Sequence, residues 1–100
     1  MIHFPSHGET FDELFEVILS LQNIDECRAF FCDLCTIQEL MSLSQRLLVA
    51  KKLLSGESYK EIQKQITISS ATITRINTAL QYGSGGYRMA LLRETDKTQE

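Results

Sequence analysis

From Glu9 onward, Phe11, Leu14, Phe15, Ile18 and Leu21 recur at intervals of three and four residues. That is the spacing of one apolar face on a helix. Asn23 or Asp25 can cap a second helix through Phe30, Phe31 and Leu34, and the bulky pair is expected to be deeply buried. Thr36 and Glu39 stand three apart, the spacing of a capping box in which each side chain accepts the other residue's backbone N–H, so a third, short helix is expected to start there. Leu43, Leu47, Ala50 and Leu54 form a further stripe. Leu48, Val49 and Leu53 widen it beyond what one facing helix covers, so this segment reads as clamped from several sides. Gly56 is placed to end it. Ser58 and Glu61 repeat the capping-box spacing two residues later, and Ile62 and Ile66 give the helix that follows one buried edge.

The stretch Ile68-Ser69-Ser70-Ala71-Thr72-Ile73-Thr74-Arg75 opens like another capped helix. With Ser69 as the cap, Ile68 and Ile73 fall at the two positions of a hydrophobic staple, which fixes how the chain enters the helix. Ile73, Ile76 and Leu80 then point inward at i, i+3 and i+7. The outward face near the start is left with Ser70, Ala71 and Thr74, flanked by Thr72. Tyr82-Gly83-Ser84-Gly85-Gly86 should break the helix, Tyr87 to Arg93 should form a short last one, and residues 94–100 are polar and expected to fray. With one proline and five glycines in 100 residues, the pattern predicts an all-α chain and a single domain, 1–100.

The formal charge of −3 argues at first against a polyanionic partner. The average hides a division. Residues 1–42 carry eight carboxylates against Arg28, a net −7, whereas residues 43–100 carry nine Lys and Arg against five carboxylates, a net +4. The basic half points to an anionic partner; two solvated faces would give the same numbers. No apolar run approaches the ~20 residues of a membrane span, and the first residues have neither the basic nor the apolar part of a secretory signal. A cytoplasmic protein without a membrane partner is expected. Cys27, Cys32 and Cys35, an odd number, fit that compartment better than a disulfide framework. With His3 and His7 they still supply only one close pair of ligands, so no metal site is assigned and the two histidines read as mobile terminal residues. No phosphate loop, catalytic dyad or triad is recognisable, so no catalytic residue and no enzyme are expected.

Helix, short turn, then a helix that begins in small polar residues is the arrangement of a helix-turn-helix DNA reader. Small side chains let the helix backbone approach the major groove, hydroxyls can bond base edges or phosphates, and Ala71 can meet a thymine methyl. The helix dipole turns positive potential toward the phosphates. Lys60 and Lys64, with Lys51 and Lys52 before them, can hold the duplex backbone. Ser69, Ser70, Ala71, Thr72 and Thr74 complete the candidate DNA-binding set.

Leu53-Leu54-Ser55-Gly56-Glu57-Ser58, Glu61-Ile62 and Ala71-Thr72-Ile73-Thr74-Arg75 resemble the DNA-binding region of the Trp repressor superfamily. The segment Asn77 to Leu91, with Tyr82-Gly83-Ser84-Gly85-Gly86-Tyr87, is similar to its YerC/YecD branch; the likeness covers roughly residues 36 to 91. The resemblance implies an all-α, intertwined homodimer. About 9–55 would be dimerisation helices, about 58–80 the helix-turn-helix head, and 81–93 a turn and short last helix, with the two heads reaching half-sites about 34 Å apart. It places Lys60 at a base-contacting position and Ser70, Ala71 and Thr74 on the recognition helix. It also matches Arg46 and Arg75 to the arginine pair that holds tryptophan, and Thr36 to a pocket residue from the partner chain. Two departures stand out: Ile76 replaces a glycine and Ala79 a serine. A branched side chain there should fill the space an indole needs, so L-tryptophan is not the expected effector. The two arginines then bind another carboxylate or pair with acidic neighbours. No cofactor is expected beyond an unidentified small-molecule effector. The implied function is a dimeric, sequence-specific transcriptional regulator acting as a repressor on double-stranded DNA. The alternative is a helical dimerisation or adaptor module that binds protein.

Overall fold

The computed structural model describes residues 8–99, with side chains from Phe11 to Glu94. Six helices and no strand occur among them: α1 (Gly8–Leu19), α2 (Ile24–Leu34), α3 (Ile37–Leu54), α4 (Tyr59–Gln65), α5 (Ser70–Tyr82) and α6 (Gly86–Gln99). None of these helices is long and apolar enough to cross a membrane. His3 and His7 lie outside the described residues.

The helix starts follow the side chains that can satisfy orphan backbone donors. Asn23 caps α2, its Oδ1 accepting from the Glu26 N–H at 2.9 Å, while Glu26 reaches back to accept from the Gln22 N–H at 2.9 Å. Thr36 and Glu39 form a reciprocal pair at 2.8 and 3.1 Å ahead of α3. Ser58 and Glu61 do the same ahead of α4 at 2.8 and 3.2 Å. Ser69 caps α5, its Oγ accepting from the Thr72 N–H at 3.1 Å. The end of α3 is equally specified. Gly56 sits at φ 93°, the left-handed region open to glycine. The Gly56 and Glu57 N–H groups donate back to the Leu53 and Lys52 carbonyls, each at 3.1 Å, which closes the helix in a Schellman turn.

Two expectations about helix length are corrected. The short helix after Thr36 and the stripe from Leu43 are one 18-residue helix, α3, because no glycine, proline or capping residue with a partner interrupts them. The last helix runs on to Gln99 instead of ending near Arg93. Its polar continuation contains no glycine or proline to stop it.

The described chain divides into two compact units, one ending at Leu43 and the other starting at Ser44, a boundary inside α3. In the unit from Ser44, Val49, Ala50, Ile62, Ile73, Ile76 and Leu91 form a buried cluster flanked by Leu53, Leu54, Tyr59, Ile66, Ile68 and Tyr87. Both members of the Ile68/Ile73 staple belong to it. In the unit ending at Leu43, no described residue is buried. Phe30 and Phe31 meet edge to face with centroids 5.4 Å apart, yet both are only half-buried, not deeply buried as their bulk predicts. Leu19, Ile37 and Met41 are 86%, 67% and 66% exposed.

Candidate nucleic-acid interface

Helices α4 and α5 are joined by residues 66–69, and their apolar sides are consumed by the core. Ile62 is the buried residue of α4; Ile73, Ile76 and Leu80 are those of α5. Burying three residues at i, i+3 and i+7 fixes the rotation of α5 about its axis. The opposite side therefore faces out, and Ser70, Ala71 and Thr74 are all exposed. Within this small-residue face the hydroxyls divide. Ser69 and Thr72 engage each other, Oγ to Oγ1 at 2.9 Å, on top of the capping bond. Their oxygens are thus already partnered inside the helix start. Among the described residues the Ser70 hydroxyl has no partner, and Thr74 offers its carbonyl to the Thr78 hydroxyl at 2.8 Å.

The basic residues divide in the same way. Lys51, Lys60 and Lys64 are exposed, and among the described residues no ion pair engages them. Lys52 is different. Its ammonium lies 3.6 Å from the Glu57 carboxylate, with the side chains 18% and 25% exposed, and it donates to the side-chain Oε1 of Gln65. Its ammonium is thus already engaged within the chain. The sequence does not reveal this cluster, since Lys52 and Gln65 are thirteen residues apart; only the five-residue step from Lys52 to Glu57 across the Gly56 stop hinted at it.

The carboxylates of the two capping boxes are held below their ordinary range. Glu61 accepts from the Ser58 backbone N–H and then its hydroxyl, and both favour the charged form. Glu39 is lowered the same way by Thr36. The Thr36 hydroxyl is thereby engaged in capping α3.

Arg46 and Arg75 are both exposed, and neither is in an ion pair among the described residues; the expected pairing with acidic neighbours is not seen. Thr36 belongs to the other unit. Ile76 is 4% exposed and packed in the core. Ala79 lines an open cavity of about 350 Å³ with Gly83, Ser84, Gly86 and Tyr87 at the α5–α6 corner. Arg88 closes that corner, its Nε donating to the Leu80 carbonyl at 3.2 Å and its Nη2 to Gln81 Oε1 at 3.1 Å. Cys27, Cys32 and Cys35 are free thiols, and among the described residues no group of three or more His, Cys, Asp or Glu is arranged to hold a metal.

Residues 9–95, which include this capped helix pair, match a family profile described as Trp repressor protein. The chain belongs to the Trp repressor family. Among curated proteins, Bacillus subtilis (strain 168) YerC, itself described as uncharacterized, is 47% identical over 91 residues, which cover 89% of this chain and 88% of that protein. Among solved structures, a TrpR-like protein from Eubacterium eligens ATCC 27750 superposes with a TM-score of 0.82 at 44% identity, covering 87% of this chain and 90% of its own. A Staphylococcus aureus protein whose crystal structure carries the provisional description of Trp repressor gives 0.83 at 43% identity, covering 92% and 96%. The all-helical Trp repressor fold expected from the sequence is therefore present.

Proposed function

We propose that this Trp repressor family member is a homodimeric, sequence-specific DNA-binding regulator that represses by occupying its operator. The observation that carries the reading is the outward face of α5. A helix locked by three buried residues presents Ser70, Ala71 and Thr74 to solvent, with the unpaired Lys60 and Lys64 exposed on α4. Small and hydroxylated side chains at the start of a helix allow close approach to base edges, and the lysines supply phosphate affinity. Lys60 and Thr74 are the assigned base readers; Lys64 is a phosphate contact. Ser69 and Thr72 serve the same face by holding the helix start in shape. A protein-docking face would expose large apolar anchors in their place.

Dimerisation completes the molecule. The unit ending at Leu43 has no buried described residue, so its apolar side chains find cover in a second copy of the chain. L-tryptophan is not the effector, because the indole space carries Ile76 and the amino-group position carries Ala79; Arg46 and Arg75 remain available for another carboxylate.

Selection of bound fragments from a genomic DNA library, with and without metabolite extracts, tests the reading. A recurrent sequence should emerge whose binding weakens steeply with salt. Lys60→Ala and Thr74→Ala should each cost about 1–3 kcal/mol on it and relax its preference, whereas Lys64→Ala should weaken all DNA alike and lower the salt slope by about one. Equal losses on selected and random DNA for all three would refute the assignment of roles, and absence of any salt-dependent affinity would refute DNA binding itself. Calorimetry should detect no micromolar binding of L-tryptophan.

A further inference from the structure

α4 has seven residues and one of them, Ile62, is buried. A helix so short, held by the buried Ile62 with Tyr59 at the edge of the core, has few apolar restraints against rocking on its neighbours, yet it leads into the reading helix after four residues. The restraint comes from its polar side. Gln65, the last residue of α4, accepts from the Lys52 ammonium, and its Nε2 donates to Glu57 Oε1 at 2.7 Å and to the Glu61 carbonyl at 3.0 Å. Lys52 and Glu57 close the ring through their ion pair. Three side chains from the end of α3, the Gly56 turn and the far end of α4 thus bond one another. Gln63 Nε2 then donates to the Ile68 carbonyl at 3.1 Å, tying α4 to the residue just before the α5 cap.

We propose that Lys52, Glu57 and Gln65 form a clip that fixes how α4 sits on the end of α3, and so how the helix pair is presented to DNA and which sequences it discriminates, with Lys52 a positioning residue and not a phosphate contact. This rests on the DNA-binding reading above. Glu57 already supplies Lys52 with the anion that a phosphate would offer, in a partly shielded position where salt screens the pair less than a fully exposed one. Among the described residues Lys60 and Lys64 have no such carboxylate and remain for the duplex. The charge of Lys52 therefore contributes to shape, and its removal should alter which sequences are read without altering how many phosphates are neutralised.

The test measures affinity for the selected duplex and for a scrambled duplex across a salt series, for the intact chain, Lys52→Gln, Lys52→Arg, Gln65→Leu and Lys64→Gln. Lys52→Gln should keep the wild-type salt slope while the ratio of selected to scrambled affinity falls about tenfold, near the lower end of what one good base contact is worth. Gln65→Leu, which changes no charge, should do the same, and Lys52→Arg should restore the ratio because its guanidinium can engage both partners. Lys64→Gln supplies the contrast, with a slope smaller by about 0.9. If Lys52→Gln lowers the slope as Lys64→Gln does, Lys52 touches phosphate and the proposal is overturned. If both clip variants melt earlier but keep the wild-type ratio, the clip is merely structural and the proposal is again overturned. A wild-type chain that prefers no sequence would remove the DNA-binding reading and this role together, an outcome recognisable before any variant is measured.

Discussion

At Gly56 the backbone adopts φ 93°, which brings the Gly56 and Glu57 N–H groups back to donate to the Leu53 and Lys52 carbonyls. An added Cβ would meet nothing within 4 Å, so the cost of a side chain there is conformational alone. Gly56→Ala should destabilise the protein by about 1–2 kcal/mol, the penalty for an L-residue in the left-handed region, measured by denaturant unfolding. A loss near zero would mean the turn re-forms without positive φ. Glu61 makes a prediction in pH. Its carboxyl, with an ordinary value of 4.5, is lowered in the folded chain by the Ser58 N–H and hydroxyl. Because the folded state prefers the ionised form, this stabilisation is complete above about pH 4.5 and disappears as pH falls through the lower folded value. Glu61→Gln should flatten the acid limb of a helicity titration by circular dichroism. An acid limb superimposable on the wild type's would remove Glu61 from that role.

At the scale of elements, the starts of α3, α4 and α5 rest on side chain–backbone bonds between residues three apart, which is why Thr36/Glu39, Ser58/Glu61 and Ser69 were legible in the sequence. The Ser69 cap separates folding from recognition. Ser69→Ala should cost about 1 kcal/mol of stability, the usual value of a cap, while the ratio of selected to random DNA affinity stays within about twofold, since Ser70, Ala71 and Thr74 keep their places on α5. Thermal melting and a binding competition check the two halves, and a large loss of sequence preference with little loss of stability would reassign Ser69 as a base reader. Helix lengths were less legible. The join within α3 and the continuation of α6 depend on what neither segment contains, and the missing breaker is a weaker signal than a present cap. The Lys52–Glu57–Gln65 clip was illegible for a different reason: its bonds connect residues that only the fold brings together.

For the molecule as a whole, the apolar stripes outnumber the interiors available in one chain. Leu47 and Leu48 on α3 are each 45% exposed although they lie in its apolar run, and Ile24, Leu34 and Met41 are 64%, 51% and 66% exposed. Large apolar side chains thus stand exposed in each of the two units, available to a second surface. The dimer reading predicts a two-chain mass at micromolar concentration by sedimentation equilibrium and a melting temperature that rises with protein concentration. Leu34→Glu should abolish both, and a wild-type monomer whose melting is independent of concentration would sink the dimer. By itself the sequence determined where helices start, which of their faces are apolar, and the small hydroxylated front of α5, because periodicity and capping act within a few residues along the chain. Only the tertiary structure decided that Ile73, Ile76 and Ile62 share one core with Val49, Ala50 and Leu91, and that Lys52 is occupied while Lys60 and Lys64 are free. It alone revealed that Phe30 and Phe31 stay half-covered within one chain. Burial and pairing depend on which distant groups meet, and no short-range pattern records that.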